Sequence, residues 1–270
     1  MKQVAKPKKR SALRKKLGKE YFCLRQKVNW ISGPEKFARE VDLSPLSHEL
    51  IHHQSFLLRR LKDVDMYLQH NKVVNLRLAI ARINGVIIQP GETFSLWKMV
   101  GRPTKSKGYL EGMTLSNGQV TKGIGGGLCQ LGNLIYWMAL HSPLEVTKRW
   151  RHSYDVFPDV NRKIPFGSGA TLSYNYIDLQ LKNNTQTPIQ INLWLSSKHL
   201  EGSICAGAPI ENEYTVFEKN HKFELQWWGG YTRHNEIWRK VIDLATQSER
   251  EELITENHAI MMYNPLIAHS

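Results

Sequence analysis

The sequence has few cysteines and no long apolar run. Three cysteines occur in 270 residues, at positions 23, 129 and 205, an odd number without metal-type spacing. This usage argues against a disulfide scaffold and favours a reducing compartment with free thiols. No uncharged apolar stretch approaches the roughly 18 residues that span a bilayer. The first apolar run is interrupted by Lys and Arg, so we expect no signal peptide and predict a cytoplasmic location.

Acidic residues are almost absent from the N-terminal region. Residues 1–30 contain eleven Lys and Arg against Glu20 alone, which is +10 of the formal net charge of +13. Within this region apolar residues recur at helical spacing, namely Leu13, Leu17, Tyr21, Leu24 and Val28. The pattern predicts a basic amphipathic helix, which either lies on an anionic membrane surface or docks its apolar stripe on the protein body. No nucleic-acid-binding module accompanies the charge, so we do not expect a nucleic-acid partner.

The remaining pattern indicates an α+β protein with N-terminal helices. Apolar periodicity predicts helices over 49–68 and 72–83 and a nearly all-apolar helix over 128–141, which we expect to be central, buried and packed on an antiparallel sheet. We expect a basic amphipathic helical region at 1–40, a core domain at 41–200 and a smaller β-rich segment at 201–270, with a helix near 248–256. No cofactor is predicted.

Cys129 follows a glycine cluster and opens the apolar helix. The positive end of a helix macrodipole favours a thiolate over a thiol. Neighbouring glycines also bring backbone N–H groups close to a ligand. Cys129 is therefore a candidate nucleophile, with a buried structural cysteine as the alternative.

A histidine and an aspartate follow Cys129 in an order that several cysteine enzymes share. In papain-like and transglutaminase-like enzymes, Cys begins a helix, and His and Asp or Asn lie on the next strands. Here His152 shares parity with inward-facing apolar residues, and Asp178 lies in a run that otherwise resembles a strand. We therefore consider a Cys129, His152, Asp178 triad, against separate structural roles for all three.

Polar groups around this trio are candidates for oxyanion or ligand binding. They are backbone or side-chain donors near the cysteine and charged or polar residues after the histidine: Gly125, Gly126, Gly127, Leu128, Gln130, Asn133, Arg151, Ser153, Asp155 and Arg162. Basic groups such as Arg151, Arg162 and Lys163 would meet a ligand carboxylate.

A second motif suggests metal chemistry. His48, Glu49 and His52 match H-E-x-x-H, which on a helix places two imidazoles on one face to bind zinc. A third ligand is not evident, so the zinc hydrolase is the weaker alternative.

Several separate motifs, in order, resemble the VanW family. They are Asn84-Gly85, Pro90-Gly91-Glu92-Thr93-Phe94-Ser95, Gly125-Gly126-Gly127-Leu128-Cys129-Gln130, Arg151-His152-Ser153, Gly169-Ala170-Thr171, Tyr174 and Asp178-Leu179. The similarity spans about 71–195. The run from Asp155 to Asp159 and the lack of a signal peptide resemble the short form of the family rather than its exported, multidomain members.

The resemblance implies a role in glycopeptide resistance and cell-envelope biology, but it supplies no catalytic residue. Two hypotheses follow. One is a cysteine-dependent hydrolase or acyl-transferase acting on a peptide or peptidoglycan-precursor amide. The other is a non-catalytic module in which the glycine cluster and the helix N-terminus bind an anionic ligand or peptide.

Overall fold

The computed structural model describes residues 11–59, 64–116, 118–158 and 164–266. Four α-helices occur in these ranges: α1 (Ala12–Ser32), α2 (Met66–Ile80), α3 (Leu96–Val100) and α4 (Cys129–Leu140). The strands of the first half are β1 (Glu40–Val41), β2 (His48–Phe56), β3 (Val86–Ile88), β4 (Thr93–Ser95), β5 (Glu111–Ser116) and β6 (Gln119–Ile124). The second half contains β7 (Glu145–Lys148), β8 (Tyr154–Asp155), β9 (Gln180–Lys182), β10 (Ile189–Leu195), β11 (His199–Ala206), β12 (Asn212–Leu225), β13 (Tyr231–Asp243) and β14 (Glu249–Met261).

The core lies between α4 and a five-stranded antiparallel sheet of order β1-β3-β10-β11-β2. Helix α4 packs on β11 and β2, and Leu131, Leu134, Ile135 and Met138 are buried there because the helix is apolar nearly all round. The α+β class and the buried helix on an antiparallel sheet are therefore confirmed. A papain-like or transglutaminase-like arrangement stays a prediction.

Two smaller sheets are formed by strands outside the five-stranded sheet. Strands β4, β9 and β7 form one sheet, and β5 and β6 form a separate hairpin. The hairpin packs on α2 and leads into the glycine cluster. It thus brings α2 beside the N-terminal end of α4.

The C-terminal region is β-rich, as the sequence predicts. Strands β12, β13 and β14 form an antiparallel sheet, and β8 joins its edge in parallel. The predicted domain boundary at 200/201 falls inside β11. In the structure, the chain passes from the five-stranded sheet to the C-terminal sheet between residues 206 and 212.

Helix α1 forms as the basic N-terminal pattern predicts, with Ser11 as its N-cap and Gly33 at its end. Residues 1–10 of the predicted helical region lie outside the described part of the chain. No helix among the described residues is long and apolar enough to cross a membrane.

Two predicted helices are strands. Most of the predicted helix at 49–68 is β2 followed by extended chain, with residues 60–63 outside the described part, and helix α2 begins at Met66. The predicted helix at 248–256 lies in β14. In both cases pairing with a neighbouring strand, β11 or β13, overrides the local periodicity.

Candidate functional site

The glycine cluster before α4 serves close packing. A Cβ on Gly126 would clash with the backbone of Gly112, and a Cβ on Gly127, which has a φ of 93°, would clash with the side chain of Lys72. Glycine is therefore required at both positions. The result is that α2 and the start of α4 are in direct contact at Lys72.

Two backbone donors at this point lack partners. Among the residues that the structure describes, the N–H groups of Gly127 and Leu128 form no hydrogen bond, whereas the N–H groups of Gln130 and Leu131 bond back to Gly127 and Leu128. Free N–H groups at a helix N-terminus attract anions. Gly127 and Leu128 thus stay candidates for ligand binding.

Lys72 is a functional candidate that the sequence analysis missed. It is only 6% exposed, and its Nζ donates to Oε1 of Gln69 at 2.8 Å. Within the described residues it contacts no carboxylate. Burial, with a smaller effect from the Arg59 charge, lowers the pKa of Lys72 from 10.5 to about 8. The sequence signal for a buried lysine was its helical spacing from Leu68 and Leu76, which lie on the buried face of α2.

Cys129 begins α4 as predicted, but its sulfur is engaged by the chain. Its Sγ accepts a hydrogen bond from the N–H of Leu172 at 3.4 Å and lies 3.9 Å from the carbonyl oxygen of the same residue. Part of the residue remains exposed. Burial of the sulfur raises the pKa of the Cys129 thiol, although the Leu172 backbone opposes this effect. Burial therefore opposes the thiolate that the helix N-terminus was expected to favour, and the favoured thiolate stays a prediction without support from the surroundings of the sulfur.

Asp178 is fully buried and holds a local backbone turn. Its carboxylate accepts hydrogen bonds from Ser95 Oγ (2.6 Å), Trp97 N (3.0 Å), Leu179 N (2.9 Å) and Gln180 Nε2 (3.1 Å). Burial raises the pKa of Asp178 from 3.8 to about 6, against the effect of these donors. The carboxylate thus stabilises the junction of β4 and α3.

His152 is partly buried and is joined to neither of its predicted partners. Across the described ranges it forms no hydrogen bond to Cys129 or Asp178. Burial, and secondarily the Arg151 charge, lower the pKa of His152, so the imidazole is neutral at pH 7. The backbones do approach, since Thr171 N donates to Trp150 O at 2.8 Å. The fold therefore brings the three segments together, while the side chains of Cys129 and Asp178 bond to other groups.

The other predicted polar residues near α4 also form structural contacts. Gln130 Nε2 donates to Ser55 Oγ at 2.9 Å and to Phe56 O at 2.8 Å, which ties α4 to β2. Asn133 Oδ1 accepts from Ala170 N at 2.8 Å. Gly125 has a positive φ of 73° and lies against Pro103.

The predicted residues after His152 face the C-terminal sheet. Arg151 donates to the carbonyl of His258 and stacks on Phe166. Asp155 is buried, lies 3.3 Å from Arg233 and accepts from Tyr263 Oη at 2.8 Å. Ser153 is exposed, and its carbonyl accepts from Ile260 N. Arg162 and Lys163 lie outside the described residues.

The H-E-x-x-H motif does not have the geometry that its zinc chemistry requires. His48, Glu49 and His52 lie on β2, where residues four apart are about 13 Å apart along the strand instead of one helical turn. His52 stacks on Trp194 and pairs with Glu201 at 3.3 Å. Among the described residues no group of three His, Cys, Asp or Glu side chains is arranged to hold a metal ion.

We expect Cys129 in the folded protein to react with iodoacetamide at pH 7 more slowly than the same cysteine in the unfolded chain. The raised pKa leaves little thiolate, and reactivity follows the thiolate fraction. Mass spectrometry of labelled peptides, with C129S as the assignment control, measures the rate. Fast labelling of Cys129 that H152A slows would instead support the predicted triad.

Comparison with known proteins identifies relatives over most of the chain. The sequence profile described as "VanW like protein" matches residues 71–205. The chain is 33% identical over 210 residues to "Vancomycin B-type resistance protein VanW" of Enterococcus faecalis, and the aligned region covers 78% of this chain and 76% of that protein. It is 30% identical over 117 residues to "Uncharacterized protein YoaR" of Bacillus subtilis, covering 43% of this chain and 37% of that protein. No solved structure matches.

Proposed function

Because this chain belongs to the VanW family, we propose that it acts in glycopeptide resistance by binding a carboxylate-bearing peptide or cell-wall precursor at the start of α4. The link to resistance comes from the name of the Enterococcus faecalis relative. We define the α4 anion site as Lys72 Nζ with the N–H groups of Gly127 and Leu128.

The observation that carries this proposal is the buried charge of Lys72. An ammonium removed from water is costly unless an anion and hydrogen bonds compensate it. Gln69 supplies one neutral acceptor at 2.8 Å, which leaves the charge without a counterion among the described residues. A ligand carboxylate would supply that counterion.

The surroundings favour an anion as well. Arg59 is exposed and lies close enough for its charge to lower the pKa of Lys72. Lys72 lies against Gly127 beside the positive end of α4, and its charge and the helix terminus together raise the local potential, which increases the concentration of anions at the site. The donors at this end of α4, one ammonium and two amides, are the kind that a carboxylate accepts from.

The rim of the α4 anion site is polar and partly open to solvent. Gly127, Cys129 and Gln130 are all partly exposed, and Gln130 bonds to Ser55 on the adjacent strand. A peptide entering here would meet amide and hydroxyl groups before its carboxylate reaches Lys72. This supports a peptide rather than a bare ion.

We expect N-acetyl-alanyl-alanine to bind and its C-terminal amide to bind at least about tenfold more weakly, because the amide lacks the charge that Lys72 compensates. K72M, which keeps the length of the side chain, should weaken binding of the acid to a similar extent. Isothermal titration calorimetry and NMR titration measure both effects.

The matched control is K122M, since Lys122 is an exposed lysine that pairs with Asp65 at 3.1 Å. K122M should bind the acid as the unaltered chain does. Equal binding of acid and amide, equal loss in both variants, or binding of inorganic phosphate in preference to the peptide would each contradict the proposal.

The cysteine hydrolase or acyl-transferase is the second candidate, favoured by one observation: Cys129 begins α4 and is partly exposed. In that mechanism Cys129 attacks an amide or ester carbonyl with His152 as base. The cysteine enzyme is the less favoured candidate, because the pKa of the Cys129 thiol is raised and Asp178 bonds to groups other than His152.

A further inference from the structure

Helix α1 presents an apolar stripe that the protein leaves uncovered. Every member of the stripe is half exposed or more: Leu13 (67%), Leu17 (63%), Tyr21 (61%), Leu24 (63%), Val28 (50%) and Ile31 (87%). With about 3.6 residues per turn these six side chains share one face of the helix. The alternative in which the stripe docks on the protein body is therefore wrong, and the apolar stripe of α1 is free.

The opposite face of α1 fixes the helix to the body. Cys23 and Gln26 are buried, with Cys23 Sγ donating to Tyr174 O at 3.3 Å and Gln26 Oε1 accepting from Lys148 Nζ at 2.8 Å. At the C-terminal end Lys98 Nζ donates to Trp30 O at 2.8 Å. The helix is thus held with its apolar stripe directed away from the protein.

Basic side chains border the apolar stripe on both sides. At helical spacing Arg14 and Arg25 follow one border, and Lys16 and Lys27 follow the other, all exposed. The acidic residue on this helix, Glu20, is paired with Arg102 at 2.5 Å. Residues 1–10 add five further Lys and Arg to the sequence immediately before the helix.

We propose that α1 binds the surface of an anionic lipid bilayer, with its apolar stripe in the headgroup boundary and its basic borders on acidic headgroups. A helix with an apolar face between two rows of cations has the chemistry of an interfacial anchor. Lys and Arg extend to the interface while their stems lie along the apolar region. The 21 residues of α1 would lie flat, with the body on the solvent side.

Charge complementarity selects this occupant over others. A second copy of the chain would bring an equally basic helix against the first, which like charges oppose. Nucleic acid requires cations on the contact face, but the exposed face of α1 is apolar between its borders. An anionic bilayer matches both the stripe and the borders.

Vesicle co-sedimentation with the full chain tests the proposal. The protein should bind vesicles that contain phosphatidylglycerol and bind phosphatidylcholine vesicles at least about tenfold more weakly, and added salt should reduce the binding. The L17D/L24D double variant should lose at least about tenfold in affinity, because it places two charges in the apolar boundary.

The matched control is L225D/L244D, which makes the same two changes at exposed leucines of the C-terminal region, one at the end of β12 and one in the turn after β13. Circular dichroism checks that both variants are folded. Equal binding of neutral and anionic vesicles, equal loss in both variants, or self-association that L17D/L24D abolishes without any vesicle binding would overturn the proposal. Peptide binding at the α4 anion site is unaffected by these changes, so the two proposals fail separately.

Discussion

Replacing Asp178 with alanine is expected to lower the free energy of unfolding by roughly 3 to 5 kcal/mol, since four donors, three of them buried, lose their acceptor. Two of them, Trp97 N and Leu179 N, are backbone groups that cannot turn to another partner. Relief of the buried charge offsets part of the loss. Urea denaturation followed by fluorescence measures the change.

The control is D178N, which keeps the shape and one acceptor oxygen. In this structure Oδ1 accepts both backbone N–H groups, so an amide oxygen can retain them. We expect D178N to cost much less than D178A. If D178A were as stable as the unaltered chain, the structural role of Asp178 would be wrong.

Asp178 also has a defined effect on the pH dependence of stability. Its pKa is about 6 in the folded state and 3.8 when unperturbed, so the folded state takes up the proton first as the pH falls. Through this residue, stability therefore increases as the pH falls from about 6 towards 3.8. D178N removes that contribution, and comparing the pH profiles of the two proteins isolates it.

Lys72→Met is expected to stabilise the protein at pH 7 by roughly 1 to 4 kcal/mol. The difference between a pKa of 10.5 and one of about 8 corresponds to roughly 3 kcal/mol of cost for burying the charge, and methionine of similar length avoids it. We also expect the same variant to lose ligand binding at the proposed α4 anion site. A residue that weakens the free protein but binds a ligand is expected at a functional site.

The pH dependence identifies the cause. Below pH 8 Lys72 is protonated in both states and the full cost is present. Between about pH 8 and 10.5 the unfolded state binds the extra proton, so the stability of the unaltered chain rises with pH through this residue. K72M should lack that rise. An exposed lysine change such as K122M should alter stability by less than about 0.5 kcal/mol, and a loss of stability in K72M would contradict the assignment.

Local sequence signals predicted the elements that depend on local chemistry. The nearly all-apolar run after Cys129 forms α4 within one residue of the predicted end, and Gly85, with a φ of 79°, ends the turn before β3. The basic amphipathic pattern forms α1. In each case the side chains within about one helical turn or one β-turn are enough to select the backbone conformation.

Local sequence signals did not predict which segments pair as strands. In β14, Glu249 and Glu252 suit a helix by composition, yet they pair across the sheet with Lys240 at 2.9 Å and with Arg239 at 2.7 Å. Residues 48–56 form β2 because β11 offers a partner almost 150 residues later. Intrinsic preference is weak compared with such pairing.

The site shows the same division. The sequence placed Cys129 and the glycines at a helix N-terminus and identified the family, because those features are contiguous in the chain. The hydrogen-bond partners and the burial of the site residues were decided by the tertiary structure alone. In the fold, Asp178 accepts hydrogen bonds from Ser95 and Trp97, and the N–H of Leu172 donates to the Cys129 sulfur. The fold also buries Lys72 against Gly127. The physical reason is that desolvation and hydrogen bonding depend on what surrounds an atom in space, and most of those neighbours are distant in sequence.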